Sequence, residues 1–246
     1  AAANEMGVDV RPHSKTNKSP YWVRKQIDAG AIGVCCAKVG EAEVMVEAGV
    51  PEVMIPNQVI GKRKIARLVA LARSARIIVA VESSGNVDDL SSASMAAGAE
   101  LGVIIEINVG MDRCGVDGDG AVELAKQIDA APGLRFDGLM GYEGHVVAER
   151  DYETRKTEAE KAMTILTGAA DQIRGAGINV KLVSAAGTGT YNITGRVEGI
   201  TELQCGSYIF MDGDYLEVFN DFEPALSVLA TVISRQKQDV AIVDMG

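Results

Sequence analysis

Ionisable side chains that could do chemistry gather where predicted β-strands end. Lys15 ends the first of these strands, and Arg11 and His13 precede it at two-residue spacing, on the same face of an extended chain. Crowded cations and partial burial favour the free amine, the form in which a lysine captures a carbonyl compound. The segment therefore predicts a carbonyl-binding lysine, although an ordinary exposed loop lysine is an equally good interpretation of the residues alone.

Two glycine-containing turns add a second chemical feature. Residues 185–190 read AAGTGT and follow the seventh predicted strand, and residues 205–208 read CGSY within the eighth. Glycine lets backbone amides approach an anion, and threonine and serine hydroxyls add donors. Either turn alone could be an ordinary tight turn. Because the loops after strands seven and eight commonly bind phosphate in (β/α)8 barrels, the two together predict a phosphate site.

Three more candidates follow the fifth and sixth predicted strands. Arg113 lies in a loop with a glycine on either side, which suggests a tightly shaped loop, although a surface arginine is the default interpretation. Tyr142 and His145 close the sixth strand in the sequence GYEGH. Enzymes with this fold place functional groups at such strand ends, so we include these three side chains, while a structural or solvated role stays open for His145.

The elements that must position these residues alternate along the whole chain. Apolar, β-branched segments predict strands, and longer helical patterns between them predict crossover helices of a parallel sheet. Strands are expected at 8–15, 32–36, 53–56, 77–82, 103–108, 138–142, 180–184 and 203–209. Helices are expected at 20–29, 40–48, 60–74, 87–97, 121–130, 152–175 and 191–197.

For 246 residues, this pattern favours an α/β fold with one closed (β/α)8 TIM barrel. A doubly wound open sheet is the alternative, but none of the eight strands has the polarity of an edge strand. Pro12 conflicts with a barrel strand because it has no N–H to donate, unless it lies at a bulge or a strand end. We assign residues 1–221 to the barrel and residues 222–246 to the start of a C-terminal β domain. Both ends suggest a fragment of a longer protein, so a targeting signal could lie outside it.

Composition restricts the partners. The net charge of −10 and the pI of about 4.8 argue against nucleic acid or an anionic membrane surface, and no apolar run approaches the roughly 18 residues of a membrane span. No C-x-x-C occurs, and the adjacent Cys35 and Cys36 should point to opposite faces of a strand. We expect reduced, mostly buried thiols and a cytoplasmic location.

Five segments carry a family resemblance: RPHSKTNK, GVCCAKVGEAE, ELGVIIEINVGMDRCGV, LVSAAGTGTY and TELQCGSYIFMDGDY. They extend over nearly the whole chain and resemble the D-threonine aldolase, D-3-hydroxyaspartate aldolase and D-serine dehydratase family. The barrel of that family is that of alanine racemase, the fold type III pyridoxal phosphate enzymes. The resemblance implies that Lys15 binds pyridoxal 5'-phosphate as a Schiff base and that Arg113 lies near the phenolic oxygen of the cofactor.

The resemblance also implies the remaining contacts of the cofactor. Gln204 occupies the place of an arginine that faces the pyridine nitrogen in alanine racemase, and a neutral partner there implies an unprotonated nitrogen. A divalent metal, Mn²⁺, Mg²⁺ or Zn²⁺, is implied for the full-length protein, with its ligands beyond Gly246 and none in this chain. The ring and phosphate contacts implied are Tyr142, Thr188, Gly189, Gly206 and Ser207.

The implied reaction is metal-assisted cleavage of a D-β-hydroxy amino acid to glycine and an aldehyde. Lys15, His13, Arg113 and His145 are the catalytic candidates. D-serine dehydratase, which yields pyruvate and ammonia, is the alternative enzyme, and a non-catalytic pyridoxal phosphate carrier is the alternative of another class. An amino-acid racemase fits less well because of the glutamine in place of arginine, and a homodimer stays open. The chain departs from the family pattern at Asn17, Ala37, Ala185 and Ala186.

Overall fold

The computed structural model describes residues 2–245 and contains one sheet of eight parallel strands, which confirms the predicted (β/α)8 arrangement. The strands pair in the order β1-β8-β7-β6-β5-β4-β3-β2. Their bounds are β1 Asp9–Val10, β2 Val34–Cys35, β3 Glu52–Gln58, β4 Arg76–Val81, β5 Leu101–Glu106, β6 Leu134–Met140, β7 Leu182–Ala185 and β8 Glu202–Leu203.

Helices connect the strands on the outside of the sheet. The longest begins after Asp151, whose carboxylate accepts a hydrogen bond from the amide of Thr154 and so caps the helix. The bounds are α1 Ala2–Met6, α2 Pro20–Asp28, α3 Val39–Glu47, α4 Lys62–Leu71, α5 Ser84–Ala97, α6 Gly118–Ala130, α7 Tyr152–Gly175, α8 Tyr191–Thr194 and α9 Gly213–Leu216.

Backbone hydrogen bonds between the first and second strands close the barrel. The amide of Ile32 donates to Val10 at 3.0 Å, and the amide of Cys35 donates to the carbonyl of Pro12 at 2.8 Å. Pro12 therefore still takes part as an acceptor, at an irregular seam where the regular strand β1 has already ended. The doubly wound open sheet is thereby excluded.

The eighth strand is shorter than predicted. Regular pairing ends at Leu203, although the amide of Gln204 still donates to Ala185 at 2.9 Å. At Gly206 the chain passes so close to the first strand that an added Cβ would lie 2.9 Å from the carbonyl oxygen of His13. It then turns into a 3₁₀-helix over Ser207–Ile209, so the strand predicted at 203–209 is wrong beyond its first residues.

Two apolar clusters lie on the two faces of the barrel strands. Cys35 belongs to the cluster inside the barrel, with Met54, Ile78 and Ile104, whereas Cys36 belongs to the larger cluster between strands and helices. The predicted opposite orientation of the two cysteines is confirmed. All four cysteines carry free thiols.

Residues 222–245 contain an antiparallel hairpin of β9 (Val232–Lys237) and β10 (Val240–Val243). Two strands after the barrel were predicted here. Their assignment to a separate domain, with the boundary at 221/222, stays a prediction. Among residues 2–245, no helix combines the length and apolarity that crossing a membrane requires.

Candidate active site

A cavity opens where the strands of the barrel end at their carboxyl side. It brings together most of the side chains that the sequence singled out, although they come from loops after five different strands. The predicted site residues that line it are His13, Lys15, Arg113, Tyr142, Thr188, Gln204, Gly206 and Ser207.

Lys15 and Arg113 meet at the ring of Tyr142. The Lys15 Nζ lies 5.8 Å and the Arg113 Cζ 5.7 Å from the ring centroid, within the range of cation–π contacts. The pKa of Lys15 is lowered, first by partial burial of the amine and then by the positive charge of Arg113. The shift favours the uncharged amine that attacks a carbonyl carbon.

Arg11 does not contribute to this shift, contrary to the expectation from the sequence. It is 1% exposed and lies deeper in the barrel, where its guanidinium bonds to Glu202 at 3.1 to 3.2 Å and to Glu52 at 2.7 Å. Burial by itself would lower the pKa of Arg11, but the attraction of these carboxylates outweighs it, so the pKa lies above its ordinary value. The second cation beside Lys15 is therefore Arg113, from the loop after β5.

His13 is neutral in this site. Burial, and then the charge of Lys15, lower its pKa to about 3. Its Nδ1 accepts a hydrogen bond from the backbone amide of Lys15 at 3.2 Å, so the proton of the neutral ring is on Nε2. The side chain is therefore a hydrogen-bond donor toward its surroundings rather than a general base through Nδ1.

His145 is exposed and does not line the cavity. It lies against the loop after β5, where a Cβ added to Gly110 would be 3.3 Å from His145 Nε2. Gly189 does not line the cavity either, because the carbonyl of Val147 packs against its α-carbon. Site roles for these two residues stay predictions.

The two glycine-containing turns meet at this cavity and offer unpaired donors. Within residues 2–245, the backbone amides of Thr188, Gly189, Gly206 and Ser207 have no hydrogen-bond acceptor in the protein. The Thr188 Oγ1 accepts from the amide of Tyr208 at 3.1 Å, which leaves its hydroxyl proton free to donate. Free amides and hydroxyls on two adjoining turns fit the phosphate of pyridoxal 5'-phosphate.

Gln204 is held by a chain of hydrogen bonds that reaches into the barrel. Its Nε2 lies 2.7 Å from Ser184 Oγ, which lies 2.6 Å from the carboxylate of Glu202. Because a carboxylate can only accept, the Ser184 hydroxyl donates to Glu202 and accepts from the amide of Gln204. The group at this position is thus neutral, as the sequence indicated, and its orientation is fixed by Ser184.

Sequence reasoning missed two residues of the site. Ser184 was placed in the seventh strand without a role, because its partner Glu202 is 18 positions away. Tyr215, from α9, lines the cavity, and burial is the first cause that raises its pKa. Tyr215 could have been predicted, because it is the last residue of the family segment TELQCGSYIFMDGDY.

One group of possible metal ligands lies within residues 2–245, at the ends of β4 and β5. Ligand atoms of Glu82, Glu106 and Cys114 are within 4.8 Å of one another. The amide of Gln58 donates to Glu106 at 2.6 Å, and the backbone amide of Gly115 donates to Glu82 at 2.5 Å. Each of the two carboxylates thus already accepts a hydrogen bond from an N–H group of the protein.

The comparison with known proteins agrees with this geometry. Residues 1–214 match the family described as alanine racemase, N-terminal domain. The chain belongs to this family. Its barrel is therefore that of the fold type III pyridoxal phosphate proteins.

Similar proteins include a D-threonine aldolase from Arthrobacter sp., 41% identical over 100% of this chain and 66% of that protein. A 3-hydroxy-D-aspartate aldolase from Paracoccus denitrificans is 37% identical over 99% of this chain and 66% of that protein. The crystal structure of D-threonine aldolase from Filomicrobium marinum superposes with a TM-score of 0.95 at 42% identity, over 100% of this chain and 68% of that one. The chain thus spans 66% of the length of both curated relatives.

Proposed function

We propose that this chain is the cofactor-binding barrel of a pyridoxal phosphate-dependent, metal-assisted lyase. The proposed substrate is a D-β-hydroxy amino acid, cleaved to glycine and an aldehyde as by a D-threonine aldolase. The observation that carries the proposal is an amine with a lowered pKa, Lys15, in one cavity with the unpaired amides of two glycine turns. The similarity to two aldolases over nearly the whole chain supports it.

Each site residue has a task that its own chemistry supports. Lys15 offers the amine that attacks the aldehyde carbon, and partial burial and then the charge of Arg113 lower the pKa of this amine. Arg113 also lies where an anionic oxygen can be bound. The ring of Tyr142 lies within about 6 Å of both cations and also packs against the turn at Gly187. When bound, the cofactor supplies an electron sink for the breaking Cα–Cβ bond.

The phosphate-holding residues are the second part of the proposal. The phosphate is bound by the amides of Thr188, Gly189, Gly206 and Ser207 and by the hydroxyls of Thr188 and Ser207. Gln204 offers its amide to the pyridine nitrogen. His13, neutral with its proton on Nε2, has this N–H available as a donor near Lys15 and does not take the substrate proton at neutral pH.

The metal and the environment of the protein are further parts of the proposal. A Mn²⁺, Mg²⁺ or Zn²⁺ ion would supply Lewis-acid polarisation of the substrate's β-hydroxyl, and its ligands would belong to the C-terminal β domain proposed to begin at residue 222. The protein acts in the cytoplasm, and a second copy could complete the site in a homodimer.

A borohydride experiment tests the attachment of the cofactor. The protein is mixed with pyridoxal 5'-phosphate, its absorbance spectrum is recorded, and borohydride reduction fixes the label for peptide mapping. We expect the label on Lys15. In Lys15→Ala both the label and the yellow absorbance should be lost. Lys18→Ala is the matched control, because this lysine follows in the same loop, is 64% exposed and pairs with Glu41. A label on another lysine, or an unchanged spectrum in Lys15→Ala, refutes the proposal.

Product analysis separates the alternatives that the sequence left open. D-threonine should give acetaldehyde and glycine, whereas a D-serine dehydratase would give pyruvate and ammonia from D-serine. A carrier protein would bind the cofactor and turn over neither compound.

A further inference from the structure

A fully buried carboxylate lies behind the glycine turn and has no part in the function proposed above. Glu143 follows β6, is 0% exposed and does not line the cavity. Its Oε1 accepts hydrogen bonds from the hydroxyls of Thr190 at 2.7 Å and Thr194 at 2.6 Å. Its Oε2 accepts from the backbone amide of Ala186 at 3.3 Å. Three donors from one nine-residue segment thus converge on one side chain.

Ala186 is the residue of this segment that most needs external support. Its φ is +71°, in the left-handed region that disfavours side chains with a Cβ. The following Gly187 packs directly on Tyr142, since an added Cβ would lie 3.1 Å from the ring. The hydrogen bond to Glu143 therefore holds a strained residue at the point where the turn enters the cavity.

Thr190 transmits the effect of the carboxylate to the rest of the turn. Because a carboxylate only accepts, the Thr190 hydroxyl donates to Glu143, and its oxygen accepts from the amide of Gly187 at 3.2 Å. The amide of Gly187 is thereby engaged on the side away from the cavity. The amides of Thr188 and Gly189, the next two in the chain, are left without an acceptor among the described residues 2–245.

We propose that Glu143 is a positioning residue for phosphate binding, which holds the turn from Ala186 to Thr190 in the shape that leaves these two amides free. The inference rests on the proposed function, because it assumes that the turn binds the phosphate of the cofactor. Glu143 acts through the turn and does not touch the ligand.

The test compares pyridoxal 5'-phosphate with pyridoxal, which has the same aldehyde and ring but no phosphate. Binding of each is measured by absorbance titration in the wild type, Glu143→Gln and Glu143→Ala. Glutamine can still accept from the two threonines, but its NH₂ group faces the amide of Ala186. We expect the preference for the phosphorylated compound to fall by about tenfold in Glu143→Gln, the equivalent of one hydrogen bond to a charged group, and further in Glu143→Ala.

Asp137→Asn is the matched control. This carboxylate is also 0% exposed, but it bonds to Arg135 near the opposite end of β6. Its substitution should lower stability and leave the preference for phosphate unchanged. Adding Ala186→Gly to Glu143→Gln should restore part of the preference, because glycine adopts the left-handed conformation without support. Loss of stability alone would not give this rescue.

The outcomes distinguish the two proposals. If the wild type prefers the phosphorylated compound and Glu143→Gln keeps the same preference, the role of Glu143 is refuted and the proposed function stands. If the wild type shows no preference, both are refuted. Should the Glu143 variants fail to fold, Thr190→Val removes the hydroxyl that links Glu143 to the amide of Gly187 and keeps the shape of the side chain. An unchanged preference in that variant likewise refutes the inference.

Discussion

Gly189→Ala is the substitution whose effect the structure fixes most sharply. A Cβ at this position would lie 1.9 Å from the carbonyl oxygen of Val147 and 3.1 Å from the ring of Tyr215. A backbone carbonyl cannot rotate away as a side chain can, so the turn or the segment at Val147 must move. Overpacking of this kind costs about 1 to 3 kcal/mol, and we expect the upper end of that range here.

Gly168→Ala is the control for the same change of residue. Gly168 lies within α7, its added Cβ would meet nothing within 4 Å, and alanine is favoured over glycine in a helix by about 1 kcal/mol. The two alanine variants should therefore differ in free energy of unfolding by roughly 3 to 4 kcal/mol. Urea denaturation of both, followed by circular dichroism, measures this difference. Equal stabilities would show that the turn at Gly189 is not packed against Val147, which would refute the packing that shapes the proposed phosphate turn.

Three further predictions concern ionisation and the cofactor. Arg113→Met should raise the pKa of Lys15, because it removes the charge that is the second cause of the lowered pKa. Labelling by pyridoxal 5'-phosphate and borohydride should then need a higher pH than in the wild type. Arg113→Lys keeps the charge and is the control, and identical pH profiles for all three proteins would contradict the effect. The pKa of His13 is about 3 in the folded protein, below its ordinary 6.5. Between these two pH values only the unfolded state binds a proton on this histidine, so the free energy of unfolding falls as the pH is lowered. The slope is at most about 1.4 kcal/mol per pH unit. In His13→Asn the urea midpoint should depend less on pH in this window, and an unchanged dependence would count against a neutral histidine. In Gln204→Arg the spectral titration of the bound cofactor should shift little if its ring nitrogen is already unprotonated, and a large shift would disprove that assignment.

Elements with a long, regular pattern could be predicted from the sequence closely. The helix expected at 152–175 is found with the same bounds, because 24 residues of helical pattern follow a capping Asp151. The strand expected at 203–209 failed because its end depends on a tertiary contact, the close approach of Gly206 to the carbonyl of His13. Nothing in the local pattern CGSY contains that information.

In the candidate site, too, local patterns could be predicted from the sequence and tertiary contacts could not. Strand alternation put Arg11, His13 and Lys15 on one face of the first strand, but it gave no depth within the barrel. Arg11 lies a layer below the mouth because Glu202, 191 positions away, binds it there. The glycine turns of the proposed phosphate site were predicted from their residues and the individual contacts from the resemblance, whereas the carboxylate of Glu143 became visible only through three-dimensional contacts.

The chain and its proposed ligand are both negatively charged, but the negative charge of the chain is only an average over the molecule. The net charge of −10 is spread over the whole sequence, whereas a phosphate at the cavity would meet amides and hydroxyls of two turns at short range. Lys15 and Arg113, both within about 6 Å of the Tyr142 ring centroid, add positive charge at the cavity, whereas salt screens the exposed acids that lie more than about 10 Å away. Local dipoles therefore decide whether the anion binds, and the shape of the turn matters more than the total charge.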